Sequence, residues 1–353
     1  MKTQKLIKDP VFQLNLLLWM SKEQPPDNYR IRPVFFDLGY KIIYIEQPFA
    51  FPESTLNALA DSHLDIIQKP EPEVIIGKTS EKKALYFEAK ANAFDYGSSN
   101  SKQARAHLVA CGPAFGEVYG PLNSCLLCYL VPGEGRDRMS GCLRNLTEEL
   151  KKKGLQPGLF SSHGLALTDN KIIYSWDKSF KEHMGIDKDD AAIMSGLEED
   201  TDPSPLVLLF SDEDCSNTEN RDFYRRVVLD QVRACLLCDL HSLPLNKSYE
   251  ATPSSLLLKT TDGVFQYLGR QRQKGLSQLI RAKIFDWIYS NWKVKQPGIE
   301  LNGERITFTW NNMKEKEEFL DWLEGKRMKY DAGKSGEDQL MLFTNIKDNK
   351  ESK

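Results

Sequence analysis

The sequence predicts an α/β protein in which helices flank a mixed sheet, followed by a mainly helical C-terminal domain. Short apolar runs alternate with helical patterns between about residues 33 and 180, whereas long helical patterns dominate from about residue 218. Such alternation is typical of a layered α/β fold. With 353 residues, 41% of them apolar, the chain can bury one large core or two modest ones.

Composition and charge exclude several classes of protein. Charged residues make up 27% of the chain and the net charge is −3, so nucleic-acid binding would require a local basic patch. The N-terminal apolar run is interrupted by Gln13 and Asn15, and no segment approaches the roughly 18–20 apolar residues that span a bilayer. Seven cysteines, an odd number set mostly in apolar runs, predict reduced thiols. We therefore expect a cytoplasmic protein without a membrane partner.

Periodicity and turn residues divide the chain into four predicted segments. They are an amphipathic helical segment at 1–30 ended by Pro25-Pro26, an α/β domain at 31–212, a mainly helical domain at 213–330 and a polar tail at 331–353. The acidic stretch at about 185–205 predicts a linker or long surface loop, and 206–210 predicts a strand. Asn302-Gly303 predicts the turn of a β-hairpin near 299–310 within the helical domain.

A predicted hairpin carries charged residues on an otherwise apolar strand. If "EVIIG" pairs with "ALYFEAKA" so that Gly77 lies opposite Ala84, Glu73 falls opposite Glu88. Strand alternation then puts Glu88 and Lys90 on one face. Like charges directly opposite each other destabilise a sheet, but two carboxylates are suitable ligands for a divalent cation. The pattern indicates a magnesium site, with the lysine beside a water or a phosphate.

These residues resemble the signature of the PD-(D/E)XK nuclease superfamily. Pro72-Glu73, fourteen residues and then Glu88-Ala89-Lys90 match its spacing, and Gln103 follows in the next predicted helix. The resemblance implies a restriction-endonuclease-like core, a mixed central sheet flanked by helices, over about residues 35–180. It implies that Glu73 and Glu88 hold Mg²⁺, with Mn²⁺ as an alternative, that Lys90 orients or activates the attacking water, and that Gln103 supports them.

The first acid departs from the family pattern, in which aspartate is usual at the position of Glu73. Asp65, in a helical pattern, is the alternative first acid, and Glu46 at the end of a predicted strand is a further acid. Two other interpretations stay open. The hairpin could be an exposed edge strand with a solvated Glu88 and Lys90 pair, or the domain could be an inactive member of the fold.

Other motifs are interpreted as structural. Cys125 and Cys128 predict a buried strand, and Cys235 and Cys238 predict a helix, because leucines fill both C-x-x-C spacings where a zinc knuckle needs a turn. His107 lies one turn beyond Gln103, so it could face the site, although a partly exposed position is expected. The segment 161–164, "SSHG", is assigned to a turn.

The second domain contains a basic segment without acids between residues 263 and 285. Clustered cations suit contacts with phosphates, although a solvated helix face or an acidic protein partner explains them equally well. The candidate nucleic-acid-binding residues are Arg270, Arg272, Lys274, Arg281 and Lys283.

The sequence thus predicts a Mg²⁺-dependent DNA endonuclease with a helical accessory domain. The resemblance implies a bacterial defence, restriction or mobile-element system, with DNA and other subunits of such a complex as partners. The alternative is a catalytically degenerate subunit that keeps the nuclease fold to bind nucleic acid or a partner protein.

Overall fold

A mixed eight-stranded sheet forms the centre of the first of two units in the computed structural model. The structure describes residues 6–23, 30–197, 204–210, 215, 217–292, 298–325, 328–331 and 337–340. The first unit comprises Met1–Leu206 with Tyr267–Gly269, and the second comprises Val207–Gln266 with Arg270–Lys353.

The sheet combines antiparallel and parallel pairs. Its strands are β1 (Arg30–Ile31), β2 (Lys41–Ile45), β3 (Val74–Lys78), β4 (Lys83–Ala89), β5 (Ser124–Pro132), β6 (Leu159–Thr168), β7 (Lys171–Ser175) and β8 (Asp190–Ser195). Their order across the sheet is β1-β8-β7-β6-β5-β4-β3-β2. Strands β4, β5 and β6 are parallel to one another, and all other neighbours are antiparallel.

Helices of the first unit cover both faces of this sheet. They are α1 (Pro10–Met20), α2 (Val34–Asp37), α3 (Glu53–Ser62), α4 (Asn100–Ala110), α5 (Pro113–Tyr119), α6 (Arg136–Lys152) and α7 (Lys178–Met184). On one face, Tyr86 and Tyr129 join a core that includes residues of α4, α5 and α6. On the other face, Phe87 contacts Phe35 of α2, which also packs against Phe180 of α7. The predicted α/β architecture is confirmed.

The predicted hairpin is confirmed, and its predicted register holds from Lys78 opposite Lys83 to Val74 opposite Phe87, but it does not continue to Glu73 and Glu88. Gly77 pairs with Ala84, and Ile76 pairs with Leu85. A two-residue turn at Asp169-Asn170 joins β6 to β7, with φ values of 48° and 58°. Helix α6 ends before Gly154, whose φ of 77° provides a left-handed C-terminal conformation.

The N-terminal helix is not amphipathic, contrary to the prediction. Every residue from Val11 to Met20 is buried in α1. The polar residues of this helix are accommodated by hydrogen bonds: Gln13 Nε2 donates to Ile7 O at 2.7 Å, and Asn15 Nδ2 donates to Val11 O at 2.7 Å. Pro25 and Pro26, predicted to end the helical segment, lie outside the described residues.

Three further local predictions are wrong. The acidic stretch at 185–205 contains β8, which pairs with β7 and β1 because its apolar residues reach the core. Residues 206–210 are buried, but they form no strand. Segment 161–164 lies within β6 rather than in a turn, because it pairs with β5. Asp177 accepts hydrogen bonds from Ser161 Oγ at 2.7 Å and Ser162 N at 3.1 Å.

The second unit is mainly helical, with a small antiparallel sheet. Its helices are α8 (Thr218–His241), α9 (Pro253–Thr260), α10 (Arg270–Ile280), α11 (Asp286–Trp292) and α12 (Met313–Gly325). Its strands are β9 (Ser248–Ala251), β10 (Ile299–Asn302) and β11 (Arg305–Thr309), in the order β10-β11-β9, with a separate pair β12 (Met328–Asp331) and β13 (Glu337–Leu340).

Two predicted features of this unit differ in detail. The hairpin is present, but Asn302 pairs with Arg305, so its turn is Gly303-Glu304, with a φ of 61° at the glycine. One of the long helical patterns predicted beyond residue 218 is interrupted by a π-helical segment, Arg281–Phe285, between α10 and α11. The polar tail predicted at 331–353 lies mostly outside the described residues.

Candidate active site

Glu88, Lys90 and Gln103 form a ring of mutual contacts at the end of β4. The Glu88 side chain is only 2% exposed, and its Oε1 is 2.6 Å from Lys90 Nζ. The same oxygen accepts a hydrogen bond from Gln103 Nε2 at 2.9 Å, while Lys90 Nζ donates to Gln103 Oε1 at 3.1 Å. Three residues selected from the sequence are therefore assembled into one cluster.

The cluster forms because β4 and α4 meet at this edge of the sheet. Strand alternation directs Glu88 and Lys90 to the face covered by α4, and Gln103 lies in the first turn of that helix. The turn before α4 is held by Ser101 Oγ, which accepts from Gly97 N at 3.1 Å and donates to Asp95 O at 3.4 Å. These contacts direct the helix N-terminus toward the strand end.

Two further acids lie at the same end of neighbouring strands. Glu73 precedes β3, and its backbone N–H donates to Phe87 O at 3.1 Å; because Phe87 is already the register partner of Val74, the pairing becomes irregular at Glu73, which is not placed directly opposite Glu88. After burial and the charge of Glu88, the charge of Glu73 also raises the pKa of Tyr129, so both carboxylates lie near that phenol. Glu46 follows β2 with a φ of 46°, and its N–H donates to Glu73 O at 3.1 Å. Both acids are buried. Three acidic residues therefore end adjacent strands β2, β3 and β4.

Asp65, the alternative first acid, is not in a helix. Helix α3 ends at Ser62, where His63 adopts a left-handed conformation with φ of 56°. The Asp65 side chain is 67% exposed and forms an ion pair with Lys102. The structure therefore places Asp65 at the protein surface, whereas Glu73 is buried at the strand end.

His107 and Tyr129 extend the cluster into the core. His107 is fully buried, so the expectation that it is partly exposed is wrong; residues of α6 and β5 help to enclose α4. Its Nδ1 lies 3.7 Å from Glu88 Oε2 and 3.3 Å from Tyr129 Oη. The four-residue spacing from Gln103 was the signal that His107 faces the site, whereas nothing in the local sequence indicated Tyr129.

Burial dominates the electrostatics of this cluster. Desolvation raises the pKa of the Glu88 carboxyl, and the charge of Lys90 and hydrogen bonds from Lys90 and Gln103 oppose that rise. Burial and the Lys90 ammonium hold the pKa of His107 well below its usual range. Burial raises the pKa of the Tyr129 phenol. A neutral histidine can accept the Tyr129 proton at Nδ1, which leaves Glu88 Oε2 without a hydrogen-bond partner.

Carboxylate oxygens are the groups at this site that could serve as ligands of a hard divalent cation. Among the described residues, Glu88 Oε2 is a buried acceptor without a hydrogen-bond partner, and Glu73 directly precedes the neighbouring strand β3. Within the described ranges, no group of three or more His, Cys, Asp or Glu side chains is arranged to hold a metal. The oxygen chemistry of Glu88 and Glu73 therefore suits a hard cation such as Mg²⁺.

The cysteine motifs have the predicted secondary structure. Cys125 and Cys128 are buried in β5, and Cys235 and Cys238 lie in α8. All seven cysteines are free thiols.

The five candidate cations of the second unit lie in α10 and the π-helical segment. Arg270 and Lys274 are exposed, whereas Arg272, Arg281 and Lys283 are half-buried. Arg281 forms an ion pair with Asp286 and its Nε donates to Gly303 O at 2.8 Å. The Asp286 carboxylate therefore occupies part of the hydrogen-bonding capacity of the Arg281 guanidinium.

Comparison of the chain with protein-family models, curated proteins and solved structures found no match. Of the helices that the structure describes, none has both the length and the apolar character needed to cross a membrane.

Proposed function

We propose that the protein is a metal-dependent DNA endonuclease whose active site is built on the end of β4. The contact ring of Glu88, Lys90 and Gln103 carries this proposal. A buried carboxylate, an ammonium and an amide are brought together there from a strand and the following helix. The mixed sheet with helices on both faces agrees with the restriction-endonuclease-like core that the resemblance implies.

Glu88 and Glu73 are the residues that would hold Mg²⁺ or Mn²⁺. When bound, the metal would activate water and offset the negative charge that develops on a phosphodiester in the transition state. The protein's own contribution is burial. Glu88 lies in a water-poor environment in which its charge acts strongly on a nearby cation.

Lys90 is suited to orient the attacking water or to contact the scissile phosphate. Its side chain is 22% exposed, so the ammonium contacts both the buried carboxylate and the solvent side of the site. Gln103 contacts both charged groups and thereby limits their rotation. Holding reactive groups in place before the substrate arrives lowers the entropic cost of the reaction.

The direct test is cleavage by the purified protein. Supercoiled plasmid and linear duplex DNA would be incubated with Mg²⁺, Mn²⁺ or EDTA, with Glu88→Gln protein as the matched control. We expect nicking or cutting with either metal, and neither with EDTA nor with the variant. Equal cutting by wild type and Glu88→Gln protein would assign the activity to a contaminant or to another site.

A degenerate nuclease subunit is the second candidate, and one contact favours it. Lys90 Nζ lies only 2.6 Å from Glu88 Oε1, in a position to compete with a cation for that oxygen. Such a protein would bind DNA or a partner protein without cleaving. Binding of duplex DNA by protein that shows no metal-dependent cutting would favour this function.

A further inference from the structure

The N-terminal helix reaches the candidate site through one buried polar side chain. Gln13 of α1 is fully buried, and its Nε2 donates to Lys90 O at 3.3 Å and to Ile7 O at 2.7 Å. Lys90 is anchored on its other side, since its backbone N–H donates to Leu130 O of β5 at 2.9 Å. The main chain that carries the Lys90 ammonium is therefore held from two directions.

Only the NH₂ group of the Gln13 side-chain amide, and not its oxygen, is hydrogen-bonded within the described part of the chain. Its Oε1 is buried and has no hydrogen-bond partner among the described residues. A buried acceptor without a partner destabilises a protein, so an apolar residue would suit this all-buried helix better if packing were its purpose. A glutamine in this position is consistent with a requirement for the donor that contacts Lys90.

A neighbouring residue provides the contrast. Asn15 lies on the same buried helix, and its Nδ2 donates to Val11 O at 2.7 Å, a carbonyl of that helix. The amide of Gln13 has a local bond too, to Ile7 O, but it also spans 77 positions of sequence to reach the residue that follows β4. Gln13 is therefore directly connected to the main chain of Lys90.

We propose that Gln13 is a positioning residue of the candidate active site. By holding the carbonyl of Lys90, it fixes the direction in which the main chain leaves β4 and hence where the Lys90 ammonium lies relative to Glu88. This inference rests on the proposed function, and it adds the N-terminal helix to the parts of the chain that the reaction requires.

The test compares Gln13→Met with Asn15→Leu in the full-length protein. Methionine keeps the approximate volume and flexibility of glutamine but cannot donate a hydrogen bond. Hydrogen exchange of peptides covering residues 88–92 would be measured together with kcat, KM and thermal stability. For Gln13→Met we expect faster exchange in that segment and a kcat lower by about tenfold to a hundredfold, with KM little changed. Asn15→Leu leaves the contact between Gln13 and Lys90 in place, so we expect its kcat and its exchange in residues 88–92 to match the wild type.

The outcomes separate this inference from the proposed function. If wild-type protein does not cut DNA with either metal, the nuclease proposal fails. Hydrogen exchange in residues 88–92 of Gln13→Met would still show whether the Gln13 contact holds that segment. If wild-type protein cuts and Gln13→Met has an unchanged kcat, the positioning role is rejected. A loss of activity that only follows a loss of thermal stability, and that Asn15→Leu shares, also rejects it in favour of general packing.

Discussion

Two fully buried histidines lie on opposite faces of the central sheet, and their surroundings differ. His107 has a carboxylate oxygen at 3.7 Å and a phenolic oxygen at 3.3 Å. His163 of β6 is surrounded by aromatic rings, with its ring centroid 4.6 Å from that of Phe180 and 5.2 Å from that of Tyr174. Burial lowers the pKa of both imidazoles.

The difference shows that a buried ionisable group does not by itself make a site. Within the part of the chain that the structure describes, neither ring nitrogen of His163 has a hydrogen-bond partner, so this imidazole fills space within an aromatic cluster. His107 instead adjoins the ring of contacts formed by Glu88, Lys90 and Gln103. The two faces differ because several polar groups converge beside His107, whereas aromatic rings surround His163.

The largest effect on DNA cleavage is expected from replacing Glu88 or Lys90. Glu88→Gln or Lys90→Met should lower kcat for DNA cleavage by about 10²–10³-fold or more, because each removes a charge aimed at the reaction. His163→Phe, on the opposite face, should leave kcat within about twofold once folding is matched. Single-turnover cleavage at saturating DNA checks both. Comparable losses in all three variants would remove the distinction between the faces.

The next largest effect is expected from replacing the first acid of the site, Glu73. Glu73→Gln should raise the Mg²⁺ concentration needed for half-maximal cleavage by about 10–100-fold, since it removes a carboxylate ligand. Asp65→Asn should change it little, because that carboxylate is exposed and paired with Lys102. Titration of activity with Mg²⁺ measures both values. The opposite pattern would show that Asp65 reaches the metal in the active protein.

Acid should destabilise the protein through His163. Burial lowers the pKa of this histidine to about 3, whereas the unfolded chain takes up the proton near pH 6.5. The unfolded state therefore binds more protons as pH falls from about 6.5 to about 3, and the folded state loses stability over that range. Between pH 7 and pH 5, the free energy of unfolding should fall by about 2 kcal/mol more in wild type than in His163→Phe.

Urea unfolding at the two pH values measures this difference. His183 also contributes to acid destabilisation in both proteins, because burial, followed by the charge of Lys83, lowers its pKa to about 4. Only the difference between wild type and variant therefore reports on His163. An identical pH dependence would mean that this imidazole is hydrated in solution.

The smallest effect is expected from replacing the cations of α10. If α10 contacts the phosphate backbone, replacing Arg270, Arg272 and Lys274 with alanine should lower DNA affinity similarly for all sequences. The slope of log K against log salt should flatten by about one unit per lost contact. Arg281→Ala should change the slope less, because Asp286 already pairs with that guanidinium. An unchanged slope in the triple variant would favour an acidic protein partner.

Local patterns were sufficient for the hairpin, for the helix around Cys235 and Cys238, and for the shared face of Glu88 and Lys90. Strand alternation and helical periodicity are properties of neighbouring residues, so the pairing of Gly77 with Ala84 could be predicted before any tertiary contact was known. The four-residue spacing of Gln103 and His107 likewise placed both on one side of α4.

Only the tertiary structure decided how completely these groups are buried and what they contact. The burial of α1 on all sides, the inclusion of "SSHG" in β6 and the burial of His107 depend on elements distant in sequence. The contact between Gln13 and Lys90 joins residues 77 positions apart. Hydrogen bonding and desolvation are determined by neighbours in space, and those neighbours exist only after the sheet has assembled.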